Sequence, residues 1–352
     1  MNCPLFRIFD KISRNEVYVI AEMSANHGGS LENALRIVHE AAKAGADCVK
    51  IQTYTADSIT IDCRNEYFQI HDGGLWDGYV LHDLYKYAGT PYEWQGTIKT
   101  ECEKCGIDFL STPFDPSAVD FLEGLGIEAY KIASYELNDI PLIEYAASKG
   151  KPMIMSCGMA SPEEIQDAVD ACRNAGNNQI VLLKCCTEYP ANWEDMHLGN
   201  IPDMRKRFGL HVGLSDHSFG SLGAVVAVAL GARVIEKHIM IDGVTSADTG
   251  FSMNTEDFAK MVDDARNAVL ISQGPDYSLS PKEKSSMIFR RSLFAVKDIK
   301  AGDEISAENV RSIRPANGIN PKFLKSMLGK KAKSDLEYGQ PVTQEFYDEL
   351  MS

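Results

Sequence analysis

The sequence predicts an α/β protein, a (β/α)8 (TIM) barrel followed by a small C-terminal domain. Three observations carry that reading. Eight short, β-branched-rich apolar runs alternate with amphipathic stretches through residue 272. The alternation then stops, and a second, shorter pattern begins at Arg290. The charge changes sign in the same region: residues 1–288 carry 24 Lys and Arg against 41 acids, leaving −17, whereas 289–352 carry 11 against 9, leaving +2.

In chain order, the strand candidates are 18–24, 48–54, 107–114, 129–135, 152–158, 179–187, 211–218 and 234–240. The amphipathic stretches lie near 30–45, 91–105, 116–125, 139–149, 161–175, 200–208, 220–231 and 254–271. Ser161-Pro162-Glu163-Glu164 opens one of them with an N-cap, a first-turn proline and two acids. Strands that alternate with helices pair in parallel through right-handed crossovers. An open doubly wound sheet shares that pattern, but eight units in about 250 residues match a closed barrel. The connection 55–90 is long for a compact domain, and its aromatics argue for an ordered, functional loop.

Residues 274–281 (GPDYSLSP) read as a linker. The tail then offers a strand from Ser292, a turn at Ala301-Gly302-Asp303, a strand near 310–314, a helix near 321–328 and a last strand around 340–344. The expected divisions are 1–272 for the barrel, 273–288 for the linker and 289–352 for the small domain. A module of about 60 residues is marginal alone and is expected to pack on something.

Composition excludes several classes. A net charge of −15 argues against nucleic acid or an anionic membrane as the main partner. No run approaches the roughly 20 apolar residues of a membrane span, and the N-terminus has no basic-then-apolar leader. A cytoplasmic enzyme is the expectation. The nine cysteines are read as reduced thiols, and the lone Cys102-Glu103-Lys104-Cys105 has no second pair to build a zinc site.

In a barrel of this kind the C-terminal strand ends build the active site. Here they carry Glu22, Asn26, His27, Lys50, Gln52, Thr112, Asp115, Lys131, Ser134, Glu136, Ser156, Thr187, Tyr189, Asp216, His217, Glu236, Lys237 and His238. His217 and His238 end strands seven and eight, neighbours in a closed barrel, where two imidazoles can share one divalent metal. Each could equally bond a neighbouring group, but the matching positions favour metal. Lys50 and Lys131 with Thr112, Ser134 and Ser156 point to a phosphate or carboxylate anion. The alternative is salt bridges to Glu22, Glu136 or Glu236. Glu22, Glu136, Glu236 and Asp248 are carboxylates able to move a proton or orient a hydroxyl.

These residues fall in ordered motifs: Ala21-Glu22-Met23-Ser24-Ala25-Asn26-His27, Val49-Lys50-Ile51-Gln52-Thr53, Ser111-Thr112-Pro113-Phe114, Tyr130-Lys131-Ile132-Ala133-Ser134, Gly213-Leu214-Ser215-Asp216-His217-Ser218 and Ile235-Glu236-Lys237-His238. Together they resemble the N-acetylneuraminate (sialic acid) synthase family. The tail, with Arg290-Arg291-Ser292-Leu293 and Arg314-Pro315-Ala316-Asn317-Gly318, resembles that family's antifreeze-like (SAF) domain. Glu66-Tyr67-Phe68, Leu75-Trp76-Asp77-Gly78 and Thr90-Pro91-Tyr92-Glu93-Trp94 look like the pseudaminic acid synthase branch, and Thr187-Glu188-Tyr189-Pro190 departs from the sialic acid branch, which typically has Asn before its Tyr-Pro.

The resemblance implies condensation of phosphoenolpyruvate with an acetamido-sugar aldehyde to a nine-carbon 2-keto acid, with release of phosphate. It implies Mn²⁺ or Mg²⁺ on His217 and His238, as a Lewis acid toward the aldehyde. Lys50, Thr112, Lys131, Ser134, Ser156 and Thr187 would hold phosphoenolpyruvate, and Glu22 would transfer a proton. Glu136, Tyr189, Glu236 and Asp248 would contact the sugar. Arg314 would reach the sugar of a neighbouring subunit in a domain-swapped homodimer. Within the resemblance an N-acetylneuraminate or legionaminic acid synthase is the alternative, and two more distant classes compete. A metal-dependent barrel hydrolase would want a His-x-His on strand one, which is absent. A non-catalytic carbohydrate-binding protein leaves the strand-end lysines unexplained.

Overall fold

A computed structural model describes residues 7–71 and 73–352, and its eight predicted strands close into one parallel barrel in sequential order. They are β1 Tyr18–Glu22, β2 Cys48–Thr53, β3 Asp108–Pro113, β4 Tyr130–Ile132, β5 Met153–Ser156, β6 Ile180–Cys185, β7 His211–Asp216 and β8 Val234–His238. Closure is between β1 and β8, where Tyr18 pairs with Val234 and Glu22 with His238. All eight expected helices are present, from Leu31–Lys43 to Thr255–Ile271, with ends a few residues inside the expected ones.

Strand parity explains how the site is positioned. Successive side chains point to opposite faces. One set, including Val19, Val49, Ile132, Met153, Leu182, Leu214 and Ile235, packs with the surrounding helices in the main core. The alternate set faces the barrel interior. Its lower layer is Tyr18, Ile20, Cys48, Leu110, Ala129, Ile154, Val181, Leu183 and Val234, a second apolar cluster. One step further toward the C-terminal ends, the same parity places Glu22, Lys50, Thr112, Lys131, Ser156 and Glu236. The polar site therefore rests on an apolar floor.

The floor is closed from below by a helix the sequence reading did not anticipate, Ile8–Ser13. Ile8 is fully buried in the interior cluster, with Phe9 and Ile12 packed against it. Arg7 and Lys11 pin this segment to Asp108 at 2.8 Å and Asp47 at 2.6 Å. The connection 55–90 also has structure of its own: helices Ala56–Ile59 and Leu81–Ala88, and a bridge between Gln69 and Val80.

The chain divides into two units after Gln273. The second contains the antiparallel pair β9 Ser292–Ala295 and β10 Val310–Ile313 over a small core that includes Leu293, Ile305, Val310, Met327, Val342 and Phe346. The expected last strand at 340–344 is not formed. Pro341 makes only an isolated bridge to Phe294, and the helix Gln344–Met351 begins where the strand was expected. Pro341 has no N–H to extend a ladder. Thr343 caps the helix by accepting from the Phe346 amide at 3.2 Å. No helix among the described residues is long and apolar enough to cross a membrane.

Candidate active site

The barrel mouth holds two lysines and two glutamates, all almost completely buried. Lys50 Nζ lies 2.6 Å from Glu22 Oε2 and 3.7 Å from Glu236 Oε1, and donates to Thr112 Oγ1 at 3.4 Å. Lys131 Nζ donates to Glu236 Oε1 at 3.2 Å, and Ser215 Oγ donates to the same oxygen at 3.2 Å. The lysines thus have the carboxylate partners that the competing reading required. Salt bridging does not explain the whole arrangement, because the carboxylates are treated unequally. Burial raises the Glu22 pKa, with Lys50 opposing and Glu236 adding to the rise. Burial also works against the charge on Glu236, but Lys131 and Lys50 outweigh it and hold this pKa below the ordinary value. Two carboxyls whose affinities for a proton are pushed apart are the pattern of an acid–base pair.

His217 and His238 stand beside this quartet, their ring centroids 5.4 Å apart. The Cys186 carbonyl lies 2.9 Å from His217 Nδ1. A carbonyl only accepts, so Nδ1 carries a proton, and in the neutral ring Nε2 then keeps its lone pair, the tautomer a metal ligand needs. Buried His238 Nδ1 has no hydrogen-bond partner among the described residues. One anchored and one unpartnered imidazole suit a shared divalent cation. By contrast, both nitrogens of His27 are engaged: the Gly29 amide donates to Nδ1 at 3.0 Å, and Nε2 meets Thr90 Oγ1 at 3.2 Å. Asp216 and Lys237 pair with each other at 2.9 Å on the opposite strand parity and stay outside the quartet.

Ser134 accepts from the Gly158 amide at 3.1 Å. A Cβ at Gly158 would stand 2.0 Å from Thr187 Oγ1 and 2.9 Å from Ser134 Oγ, so only glycine lets these two hydroxyls approach. Ser156 is buried on β5 with an unpartnered Oγ. Tyr189 stacks 4.2 Å from His217. Asp248 accepts from the Ala25 amide at 3.1 Å, which ties the loop after β8 to the loop after β1. Asn26 reinforces that tie by donating to Ile239 O at 2.9 Å and to Ser252 Oγ at 2.8 Å. Arg314 is exposed in the second unit and precedes a cis Pro315. Sequence reasoning missed Ser215 and Phe251, which face the same mouth. Ser215 was detectable by its parity with His217, whereas Phe251 ends the single 3-10 turn Thr249–Phe251, too short to carry such a signal.

Unsatisfied polar atoms concentrate here. Buried Glu136 Oε2, Ser156 Oγ, Glu236 Oε2 and His238 Nδ1 have no hydrogen-bond partner among the described residues, and neither does Asp115 Oδ2, which follows β3. Each such group costs roughly 1–3 kcal/mol if left alone. Native proteins keep few of them, so a cluster at one barrel mouth marks a place built to bind something polar.

Comparison with known proteins agrees with the motifs. Residues 37–275 match the model of the NeuB family, and 290–347 match the SAF domain. The chain belongs to the NeuB family. It is 46% identical over 330 residues to a pseudaminic acid synthase of Campylobacter jejuni, covering 94% of this chain and 96% of the relative. It is 39% identical to a pseudaminic acid synthase of Helicobacter pylori, covering 92% of this chain and 96% of the relative. A crystal structure of N-acetylneuraminic acid synthetase from Leptospira borgpetersenii, in complex with citrate, aligns with a TM-score of 0.68 and 32% identity, over 77% of this chain and 90% of that one. The resemblance read from the six motifs and the tail is borne out.

The Glu136 carboxyl of this NeuB-family chain gives a pH signature. Burial pushes its pKa up to about 7, with Lys131 opposing and Asp139 adding to the rise. A carboxyl with a raised folded pKa binds more protons folded than unfolded between the two values. Stability therefore falls as pH climbs from about 4.5 toward 7. Glu136→Gln is expected to flatten that slope and to raise the melting temperature at pH 8 relative to the native protein. Thermal unfolding across pH 5–8 checks it, and an unchanged slope contradicts the assignment.

Proposed function

We propose that this chain condenses phosphoenolpyruvate with a 2-acetamido sugar aldehyde to give a nine-carbon 2-keto (nonulosonic) acid and phosphate. The sugar is 2,4-diacetamido-2,4,6-trideoxy-L-altrose and the product pseudaminic acid. The observation that carries this reading is the set of unpartnered buried polar atoms around two lysines and two histidines, in a chain 46% identical to a pseudaminic acid synthase.

In the reaction, C3 of phosphoenolpyruvate bonds to the aldehyde carbon, and the aldehyde oxygen takes a proton. Water adds to C2 and loses one proton, and the bond from C2 to the phosphate oxygen then breaks as the C2 hydroxyl gives its remaining proton to the departing phosphate, leaving the ketone. Lys50 and Lys131, with Thr112, Ser134, Ser156 and Thr187, hold the phosphate and carboxylate of phosphoenolpyruvate. Cations fixed in place stabilise developing charge without solvent reorganisation. Glu22, whose proton affinity burial raises, donates at the aldehyde oxygen. Glu136, Tyr189, Glu236 and Asp248 orient the sugar. His217 and His238 would hold Mn²⁺ or Mg²⁺, which when bound supplies Lewis acidity toward the aldehyde. The enzyme acts where phosphoenolpyruvate is made, in the cytoplasm.

Arg314 is assigned to the sugar's acetamido region in a neighbouring subunit of a domain-swapped homodimer, and the +2 charge of residues 289–352 against −17 for the rest supports such docking weakly at cellular salt. The decisive experiment is phosphate release on mixing phosphoenolpyruvate with candidate sugars. The same assay on residues 1–288 tests the exchange: lost turnover with a folded barrel supports it, and full turnover refutes it.

A further inference from the structure

We propose that Trp76 determines sugar specificity: with Tyr189 and Phe251 it forms an apolar wall beside His217 and His238 that receives a methyl group of the substrate. This inference rests on the condensation proposed above and names a contact that the condensation alone does not require.

Trp76 comes from the long connection between β2 and β3. Its described neighbours Gly73, Gly74, Leu75, Asp77 and Gly78 are exposed, while Trp76 itself is half-buried. Its ring centroid lies 5.4 Å from Tyr189 and 6.2 Å from Phe251. Those two rings are 4.9 Å apart. Tyr189 lies 4.2 Å from His217, and Phe251 lies 4.8 Å from His238. Three aromatic rings thus run without a break from the long loop to the two histidines. The one polar atom of Trp76 is already used, because Nε1–H donates to the Ala247 carbonyl at 3.1 Å. That bond grips the residue next to Asp248. Leu75 adds to the grip, since a Cβ at Gly250 would stand 3.4 Å from Leu75 Cδ1.

The chemistry follows from what the wall lacks. Phe251 has no hydrogen-bonding atom and is buried behind the other rings, and Trp76 has spent its own, so a sugar hydroxyl pressed against the half-buried Trp76 loses water without gaining a partner. A methyl group in the same place gains burial. The unpartnered polar atoms of Glu136, Ser156 and Glu236 belong to other elements, β5 and β8 and the turn after β4, and are there for the polar groups of the substrates. One methyl in an apolar pocket discriminates about 10- to 200-fold. Two methyls of the proposed sugar qualify, the one at C6 and that of an acetamido group. A set of analogues separates them.

The test measures kcat/KM by phosphate release for the native protein, Trp76→Ala and Trp76→Phe. The sugars are 2,4-diacetamido-2,4,6-trideoxy-L-altrose, its 6-hydroxy counterpart and its N-formyl counterparts. The native protein is expected to prefer the 6-deoxy sugar about tenfold or more. Trp76→Ala should bring that ratio close to one, and Trp76→Phe should keep most of it. The KM for phosphoenolpyruvate should stay unchanged in both. If the preference for acetyl over formyl collapses instead, the wall holds the acetamido methyl. Unchanged ratios in Trp76→Ala overturn the inference. So does an equal loss on every sugar with a raised KM for phosphoenolpyruvate, which is the mark of a merely structural residue. Should the native protein condense only N-acetylmannosamine, the substrate reading falls. The same comparison with that sugar's 6-deoxy and N-formyl counterparts then decides the wall by itself.

Discussion

His238→Ala is expected to lower turnover by about 10³-fold or more while leaving the barrel folded. The estimate follows from Lewis-acid assistance worth several kcal/mol, at one factor of ten per 1.36 kcal/mol. The barrel is expected to stay folded because His238 Nδ1 has no hydrogen-bond partner among the described residues for the substitution to break. His217→Ala is a less clean test, since it also removes the bond to the Cys186 carbonyl that orients the loop after β6. Stripping the native protein with EDTA should reproduce the loss, and returning Mn²⁺ or Mg²⁺ should reverse it. Unchanged turnover after verified metal removal would count decisively against a two-histidine metal site.

Lys131→Met is expected to cost both stability and turnover, and a second substitution separates the two. Lys131 is paired with Glu236 at 3.2 Å with both side chains almost wholly buried. Breaking a buried pair by removing one partner costs about 3–5 kcal/mol, because the other charge is left uncompensated. Lys50, 3.7 Å away, offsets part of that. The double variant Lys131→Met with Glu236→Gln removes both charges and should recover most of the melting temperature. Its turnover should remain at least about 10³-fold down, because the cation assigned to phosphoenolpyruvate is still missing. Native turnover in the double variant would make the pair purely structural.

Most of this architecture was legible in the sequence because barrels obey two periodicities at once. The eight strand runs and eight helical stretches appear within a few residues of their expected positions, since each strand is buried on both faces and reads as an apolar run. The site was legible for the same reason. Lysine, glutamate and histidine at C-terminal strand ends interrupt those runs, and parity assigns them to one interior. Failures occurred where no period exists. The helix Ile8–Ser13 is a single short element whose apolar residues Ile8, Phe9 and Ile12 are too few to show a repeat. The strand expected at 340–344 rests on β-branched Val342 and Thr343, although Pro341 and the capping role of Thr343 argue against it, and the helix Gln344–Met351 that follows was not anticipated. The pairing of each lysine with a particular glutamate depends on register across strands more than 100 residues apart, as Lys131 and Glu236 illustrate. Composition carries no trace of that. The net charge of −15 is misleading in the same way, because it conceals two cations at the barrel mouth.

The most direct measurement is to mix the purified protein, Mn²⁺ and phosphoenolpyruvate with 2,4-diacetamido-2,4,6-trideoxy-L-altrose or with N-acetylmannosamine, following phosphate release and the mass of the product. The proposed function requires one phosphate per nine-carbon 2-keto acid formed from the diacetamido sugar, and far slower release with N-acetylmannosamine. Release with neither sugar, or preference for N-acetylmannosamine, would contradict it.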